Sequence, residues 1–462
     1  MPAADQLRHA LDYADRWLAY RRWRLDIPGI QAAVRVDGEL LLDTAHGVAD
    51  ASTREALTPR HRFRIASHSK ALAAIVAMRL VDDGRLRLDD EAQLHAPDLR
   101  GTDAGRLHVR ELLSHGGGAV RDGDDVAFWH LAAGFPDAAG LLEVARAGVE
   151  RIPASTAFKY SNIGYGLLGM VIEGATGASY AEALDRHVAR PLSLGAFAAD
   201  LAPDHDDSGA PLAAGHSALH SSRVRTVLGS PSAGALAAAT GAVSTAAELT
   251  DALRVVTDAD DRLLSAPSRR RMRQQQWTTA GRDGGTTGYG LGLMLRELDG
   301  RTWAGHGGAW TGQATRTLVD AERDVVVSVL TNAIDGPADE LAAGVARIVT
   351  AAMDGGAEDD DRARSFEGSF ASIWGRLDVV ALGGRLLGVS PTSADPLQAV
   401  DVLEPLDEHR VRVTAATGMG SGHEVATAER DASGRVVRWR GAIHMESVPA
   451  VPEEPIGEPA AR

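Results

Sequence analysis

Ser67-His68-Ser69-Lys70-Ala71-Leu72-Ala73-Ala74-Ile75-Val76 is the stretch on which the reading of this 462-residue chain turns. From Ser67 the apolar positions Ala71, Ala74, Val76, Leu80 and Val81 run at helical spacing to Asp83-Gly84, where glycine stops the helix. A buried helix is therefore expected to begin at or near Ser67. Serine and lysine three residues apart share one face of that helix and lie within reach of each other. A neutral lysine there can take the serine proton, and the amino end of the helix favours the negative charge that develops. Taken alone, a Ser-x-x-Lys pattern is common by chance and reads more readily as an N-cap serine and a solvated lysine.

Composition bears on that choice. The chain has 48 lysines and arginines, of which only Lys70 and Lys159 are lysine, leaving 46 arginines. A lysine that persists is a candidate for work that guanidinium, always protonated, cannot perform. The formal net charge of -15 argues against nucleic acid or an anionic membrane as partner. With no cysteine, disulfides, thiolate chemistry and cysteine-ligated zinc are excluded. No cofactor and no metal are expected. Residues Met1 to Gly29 interleave arginine and aspartate with Leu, Trp and Tyr, as an amphipathic helix does, without an apolar run of signal-peptide length. No segment reaches the roughly 18 to 20 apolar residues of a membrane span. A cytoplasmic protein is the expectation.

Outward from the central helix, Gly29 to Val36 and Leu40 to Thr44 flank Asp37-Gly38, a hairpin signal. Leu107 to Ser114, Asn162 to Thr176, Tyr180 to Ala189 and Ala246 to Val256 carry helical patterns. Strand patterns return at Gly288 to Leu298, Arg301 to Ala304, Gln313 to Asp320 and Val325 to Thr331, followed by a helix from Pro337 to Ala352. Terminal helices around an antiparallel sheet, with an all-helical insertion, make an α+β catalytic domain over 1–352. A charged linker, 353–364, leads to six short strand-like runs within 365–451 that suit a small antiparallel barrel or sandwich, and 452–462 reads as a frayed tail.

Two further constellations bear on chemistry. Tyr160-Ser161-Asn162 precedes a glycine-rich helix. Its tyrosine can relay a proton and its asparagine can hold both lysine and a substrate amide, although a buried tyrosine beside an N-cap asparagine reads the same way. Gly305-His306-Gly307-Gly308-Ala309-Trp310 lies between strand patterns. The glycines would let substrate approach a strand edge, where a backbone N–H completes an oxyanion hole.

In this order and spacing the three elements resemble the serine β-lactamase and penicillin-binding-protein superfamily, with its Ser-x-x-Lys, Ser-Asp-Asn and Lys-Thr-Gly set. Tyr160-Ser161-Asn162 and His306-Gly307-Gly308 are similar to the branch holding class C β-lactamases, D-aminopeptidases, DD-carboxypeptidases and esterases. Arg110 to Gly118 and Gly241 to Thr245 add to the resemblance, with Gly116-Gly117-Gly118 replacing the commoner Thr-Ser-Gly. The resemblance implies that Ser67 is acylated, that Lys70 and Tyr160 move protons, and that Asn162 and His306 orient substrate and Tyr160. The N–H groups of Ser67 and Ala309 would form the oxyanion hole. Gly307, Gly308 and Trp310 are candidate substrate contacts, and Arg440, which shares one face of a strand-like run with Arg438 on either side of Trp439, is a candidate for a substrate carboxylate.

Without an export signal, DD-peptidase and β-lactamase roles are demoted. The combination of this domain with a lipocalin-like barrel resembles the penicillin-binding-protein-type thioesterases, which take a peptide thioester from the carrier protein of a nonribosomal peptide synthetase and macrocyclise it. A D-aminopeptidase or D-amino-acid ester or amide hydrolase, a promiscuous esterase, and a non-catalytic penicillin- or peptide-binding sensor are the alternatives.

Overall fold

The computed structural model describes residues 4–201, 209–220, 224–280, 286–355, 361–416 and 420–452. By its contacts the chain divides into two units, 28–339, and 1–27 together with 340–462. The sequence boundaries at 352, 365 and 451 rest on composition, and 356–360 of the expected linker and 453–462 of the expected tail lie outside the described residues.

Unit 28–339 is built on a nine-stranded antiparallel sheet. β1 (Gly29–Val36) and β2 (Glu39–Asp50) are the hairpin expected at Asp37-Gly38, and β3 (Glu55–Ala56) follows. The other strands come late in the chain: β4 (Trp277–Ala280), β5 (Thr286–Tyr289), β6 (Met294–Leu298), β7 (Arg301–Trp310), β8 (Gln313–Asp320) and β9 (Val325–Thr331). Their order is β3-β2-β1-β9-β8-β7-β6-β5-β4, so early and late segments meet where Ile30 pairs with Thr331 and Val34 with Val327. β9 reads Val-Val-Val-Ser-Val-Leu-Thr and is buried throughout. A strand covered on both faces needs no alternation, which explains that run.

The regular structure of the insertion between β3 and β4 is mainly helical, with two short ladders among the described residues, Phe63–Arg64 with Val243–Ser244 and Gly215–His216 with Val227–Leu228. Three of its helices position the site: α1 (His68–Asp82), α2 (Val109–Ser114) and α3 (Asn162–Thr176). α1 is apolar almost all round, as a core helix is, and twelve of its fifteen residues are buried. Its Leu72, Ile75 and Val76 share one core with Leu168 and Val171 of α3 and with Ala33 and Val326 of the sheet. Lys70 takes its dehydrated setting from this helix, since the first turn of α1 already lies inside the core.

The second unit holds the helix Ala4–Arg24, all but the first two residues of the helix Ala338–Asp354, and a closed antiparallel barrel of eight strands, from Gly368–Ser372 to Met445–Ser447. The barrel closes where Phe370 pairs with Ser447 and Ala371 with Glu446. Phe366, Phe370, Leu403, Val411 and Trp439 fill its centre, as side chains do in small barrels. On strand Val436–Gly441, Trp439 points inward while Arg438 and Arg440 point outward, and both arginines pair with Glu429. No helix among the described residues is long and apolar enough to cross a membrane.

Candidate active site

The path into α1 is braced from several sides. Phe63–Arg64 pairs with Val243–Ser244, and the Ile65 N–H donates to the Ala242 carbonyl at 3.0 Å, so the Gly241 to Thr245 segment guides the chain to Ser67. Ala66 sits at φ +47°, in the left-handed region that costs a non-glycine residue of order 1 kcal/mol or more. Ser69 helps to hold it there. Its hydroxyl donates to the Ala66 carbonyl at 2.7 Å and accepts the Ala242 N–H at 2.9 Å. Ser67 occupies the N-cap position of α1 but makes no side-chain capping bond. Its hydroxyl is instead engaged by the two groups expected to activate it.

Lys70 is wholly buried, and its Nζ donates to Ser67 Oγ at 3.2 Å, Asn162 Oδ1 at 2.7 Å and the Ala239 carbonyl at 2.8 Å. Tyr160 donates its hydroxyl to the same Ser67 oxygen at 2.8 Å. Burial drives the lysine well below its ordinary value, with Asp122 opposing and Arg121 adding to the fall. Burial pushes the tyrosine up to about 12, against the Ser67 hydrogen bond and Arg121. Two groups whose affinities for protons are moved apart from their usual order take different roles. The two shifts run in opposite directions, which favours the amine as proton acceptor and the phenol as proton donor.

Ser161 caps α3, accepting the Gly164 N–H at 2.7 Å and donating to the Val120 carbonyl at 2.6 Å. Tyr160 is thereby fixed just outside the helix and Asn162 in its first turn. The Asn162 amide is used at both ends, since its Nδ2 donates to Asp122 Oδ1 at 2.6 Å. His115, at φ +60°, ends α2 and accepts the Ser161 N–H on Nδ1 at 3.1 Å. Its ring lies 4.3 Å from that of Tyr160, and burial, then Lys70, hold it well below its ordinary value. Gly118 follows at φ +63°, where a Cβ would lie 1.9 Å from the Ile152 carbonyl, so the last of the three consecutive glycines is obligatory.

β7 supplies the opposite wall. His306 is buried, with Nε2 3.3 Å from the Tyr289 hydroxyl and Nδ1 2.6 Å from the Gly307 carbonyl. These polar contacts are with Tyr289 and the backbone, and it is His115 that packs on Tyr160. Gly308 allows a close approach, but of the protein rather than of substrate. A Cβ there would stand 2.2 Å from the Ile65 carbonyl and 3.1 Å from Ala66 Cβ. Pairing of β7 with β6 ends at Gly305, and the two-residue turn joining Trp310 to Gln313 makes Ala309 and Ala314 a non-hydrogen-bonded pair. The N–H of the exposed Ala309 therefore faces away from β8, as an oxyanion donor requires.

Trp310 differs from expectation. It is 1% exposed, stacked on Phe135 at 5.1 Å and covered by the Arg64 guanidinium at 4.5 Å, with Trp129 against its edge. It supports the partly exposed Trp129 and Phe135 rather than presenting a surface of its own. Arg64 is held in turn by Asp200 at 2.6 Å. Asp122, His115 and Tyr289 were not among the expected site residues. His115 lies inside the Arg110 to Gly118 motif, whereas Asp122 and Tyr289 belong to none of the quoted motifs and come to the site only through the fold. Among the described residues no histidine, aspartate and glutamate group could hold a metal ion.

The model of the Beta-lactamase family matches residues 14–352. Penicillin-binding protein 4 of Amycolatopsis lactamdurans is 31% identical over 335 residues, 66% of this chain and 81% of that protein. The crystal structure of SurE superposes with a TM-score of 0.63 at 26% identity, covering 96% of this chain and 100% of that one. SurE with D-Leu gives 0.60 at 26%, covering 95% and 99%. The octameric penicillin-binding protein homologue from Pyrococcus abyssi, at 21% identity and TM-score 0.65 over 91% of this chain and 96% of its own, is similar in fold.

Proposed function

Because the chain belongs to the Beta-lactamase family, whose wider superfamily contains serine hydrolases and acyltransferases, we propose that it is a serine acyl-transfer enzyme that releases and macrocyclises a peptide held as a thioester. The observation that carries the chemistry is the Ser67 oxygen held at once by a buried amine at 3.2 Å and a phenol at 2.8 Å. Neutral Lys70 takes the Ser67 proton as Oγ attacks the thioester carbonyl. The N–H groups of Ser67 and Ala309 hold the oxyanion, the C–S bond breaks, and the thiol departs with a proton passed through Tyr160. The amino end of the same peptide then attacks the ester carbon and gives its proton to the relay, and Ser67 leaves protonated. Asn162 fixes Lys70, and His306 shapes the β7 wall through Tyr289.

The finer reading draws support from coverage. SurE matches this chain across both units, and a structure of SurE contains D-Leu. A D-configured residue at the acyl carbon, and a carrier protein of a peptide synthetase as donor, belong to this proposal, as does an intracellular setting. Cyclisation needs water kept from the acyl-enzyme, and the partly exposed Trp129 and Phe135 offer an apolar wall beside Ala66. The test is a linear peptide thioester with D- or L-residue at its C-terminus, followed by mass spectrometry. Cyclic product from the D-epimer alone supports the cyclase. Linear acid only, together with brisk cleavage of N-terminal D-amino-acid amides, replaces it with the D-aminopeptidase reading.

A further inference from the structure

Asp122 is buried, follows the glycine loop after α2, and serves three neighbours. Its Oδ1 accepts Asn162 Nδ2 at 2.6 Å and the Trp129 indole N–H at 3.0 Å, and its Oδ2 pairs with Arg121 Nε at 3.0 Å. A carboxamide has an acceptor end and a donor end that differ little in shape, so its direction is set by its partners. At Asn162 the Asp122 carboxylate, paired with Arg121, stands on one side and accepts, and the Lys70 amine stands on the other at 2.7 Å. We infer that Asp122 is a positioning residue that locks the Asn162 amide with its oxygen toward Lys70. The inference rests on the serine acyl-enzyme reading given above.

The chemistry of the lock is one-directional. With the Asp122 carboxylate in place, only the amide NH2 can face it, which leaves Oδ1 for the lysine. Without the charge, the amide is free to turn, and its NH2 would then confront an amine that has no acceptor to offer while protonated. Around Lys70 stand Arg121 and Asp122 from the loop, His115 from the end of α2, Tyr160 and Tyr165 from the α3 segment, and His306 from β7. Asp122 is the carboxylate among them. Its loss therefore removes the one negative charge favouring the ammonium, and a turned amide acts in the same direction. Lys70 would lose its proton at lower pH, while the Ser67–Lys70 alignment would loosen.

The experiment is the pH profile of kcat/KM for a p-nitrophenyl ester, with fluorophosphonate labelling of Ser67 and thermal melting alongside, for wild type, Asp122→Asn, Asp122→Glu and Trp129→Phe. Asp122→Asn is expected to lose about 100-fold in rate, the cost typical of a misplaced catalytic group, and to show its acid limb at lower pH. Asp122→Glu, which restores the charge, should bring the limb back. Trp129→Phe, which spares the Asn162 bond, should keep the wild-type limb and lose less rate. If Asp122→Asn does not fold, Asp122→Glu and Trp129→Phe still decide, because a displaced limb in Trp129→Phe overturns the lock. Wild-type rate and limb in a folded Asp122→Asn also overturn it. Absence of labelling on wild-type Ser67 would bring down the acyl-enzyme reading itself, a different result from labelled protein with an unmoved limb.

Discussion

A single methyl group at Gly308 tests how closely the β7 wall is fitted to the nucleophile. In Gly308→Ala the new Cβ would start 2.2 Å from the Ile65 carbonyl and 2.5 Å from Thr315 Oγ1. Ordinary carbon-to-oxygen contacts begin at about 3.3 Å, so the strand must retreat by roughly 1 Å. Ile65 cannot yield instead, because its carbonyl accepts the His68 N–H at 3.1 Å and lies 3.0 Å from His68 Nδ1, which ties it to the first turn of α1. Ala309 moves with the strand. An oxyanion donor misplaced by about 1 Å costs on the order of 100-fold, near 3 kcal/mol of barrier, and overpacking costs about 1 to 3 kcal/mol of stability. Stopped-flow acylation by an activated ester reads the first figure and chemical denaturation the second. Gly307→Ala is the internal control, since nothing comes closer than 3.5 Å to its Cβ, and it should acylate at close to the wild-type rate. Equal rates for Gly308→Ala and wild type, or a worse rate for Gly307→Ala, would refute the argument.

Incubation with a fluorophosphonate should add one label to wild type and none to Ser67→Ala, as read by intact mass; a label on the variant would remove Ser67 as nucleophile. Lys70→Arg should fall about 10² to 10⁴-fold because guanidinium cannot take the serine proton, while Lys159→Arg stays near wild type; turnover by Lys70→Arg would mean the charge alone suffices. His68 is buried between the Ile65 carbonyl and Thr317 Oγ1, and burial lowers it from 6.5 to about 3. A depressed folded value gives stability that is complete above 6.5 and drains away as pH falls toward 3, so His68→Gln should flatten the decline in melting temperature over that window. An unchanged slope would contradict it. Arg440→Ala, which releases one partner of Glu429, should leave the Michaelis constants of carboxylate-bearing and amidated substrates alike; a selective rise for the carboxylate would return the barrel to a binding role.

Legibility followed how local each feature is. Ser67, Lys70, Tyr160 and Asn162 announce themselves because each pair lies within one helical turn, and α3 has the limits expected of it. Gly288 to Leu298 reads as one strand but bends at Gly290 to Leu293 into β5 and β6, with Gly292 at φ +72°. The first and last barrel strands, Gly-Ser-Phe-Ala-Ser and Met-Glu-Ser, have too few apolar residues to show period 2, and are made strands by each other and by their neighbours. Trp277–Ala280 is an edge strand of the same kind. Asp122 is invisible in sequence because a buried carboxylate has meaning only beside the amide and indole it meets.

The barrel's closure also governs how this chain would fold and fail. Seven of its eight pairings join neighbours in sequence and can form early, whereas Phe370 with Ser447 and Ala371 with Glu446 must wait until the whole segment has been made. A chain shortened before Met445 would leave Gly368–Ser372 and Val436–Gly441 as two open edges, each a template for pairing with another molecule. The three residues Met445–Ser447 thus stand between a closed barrel and two edges open to pairing.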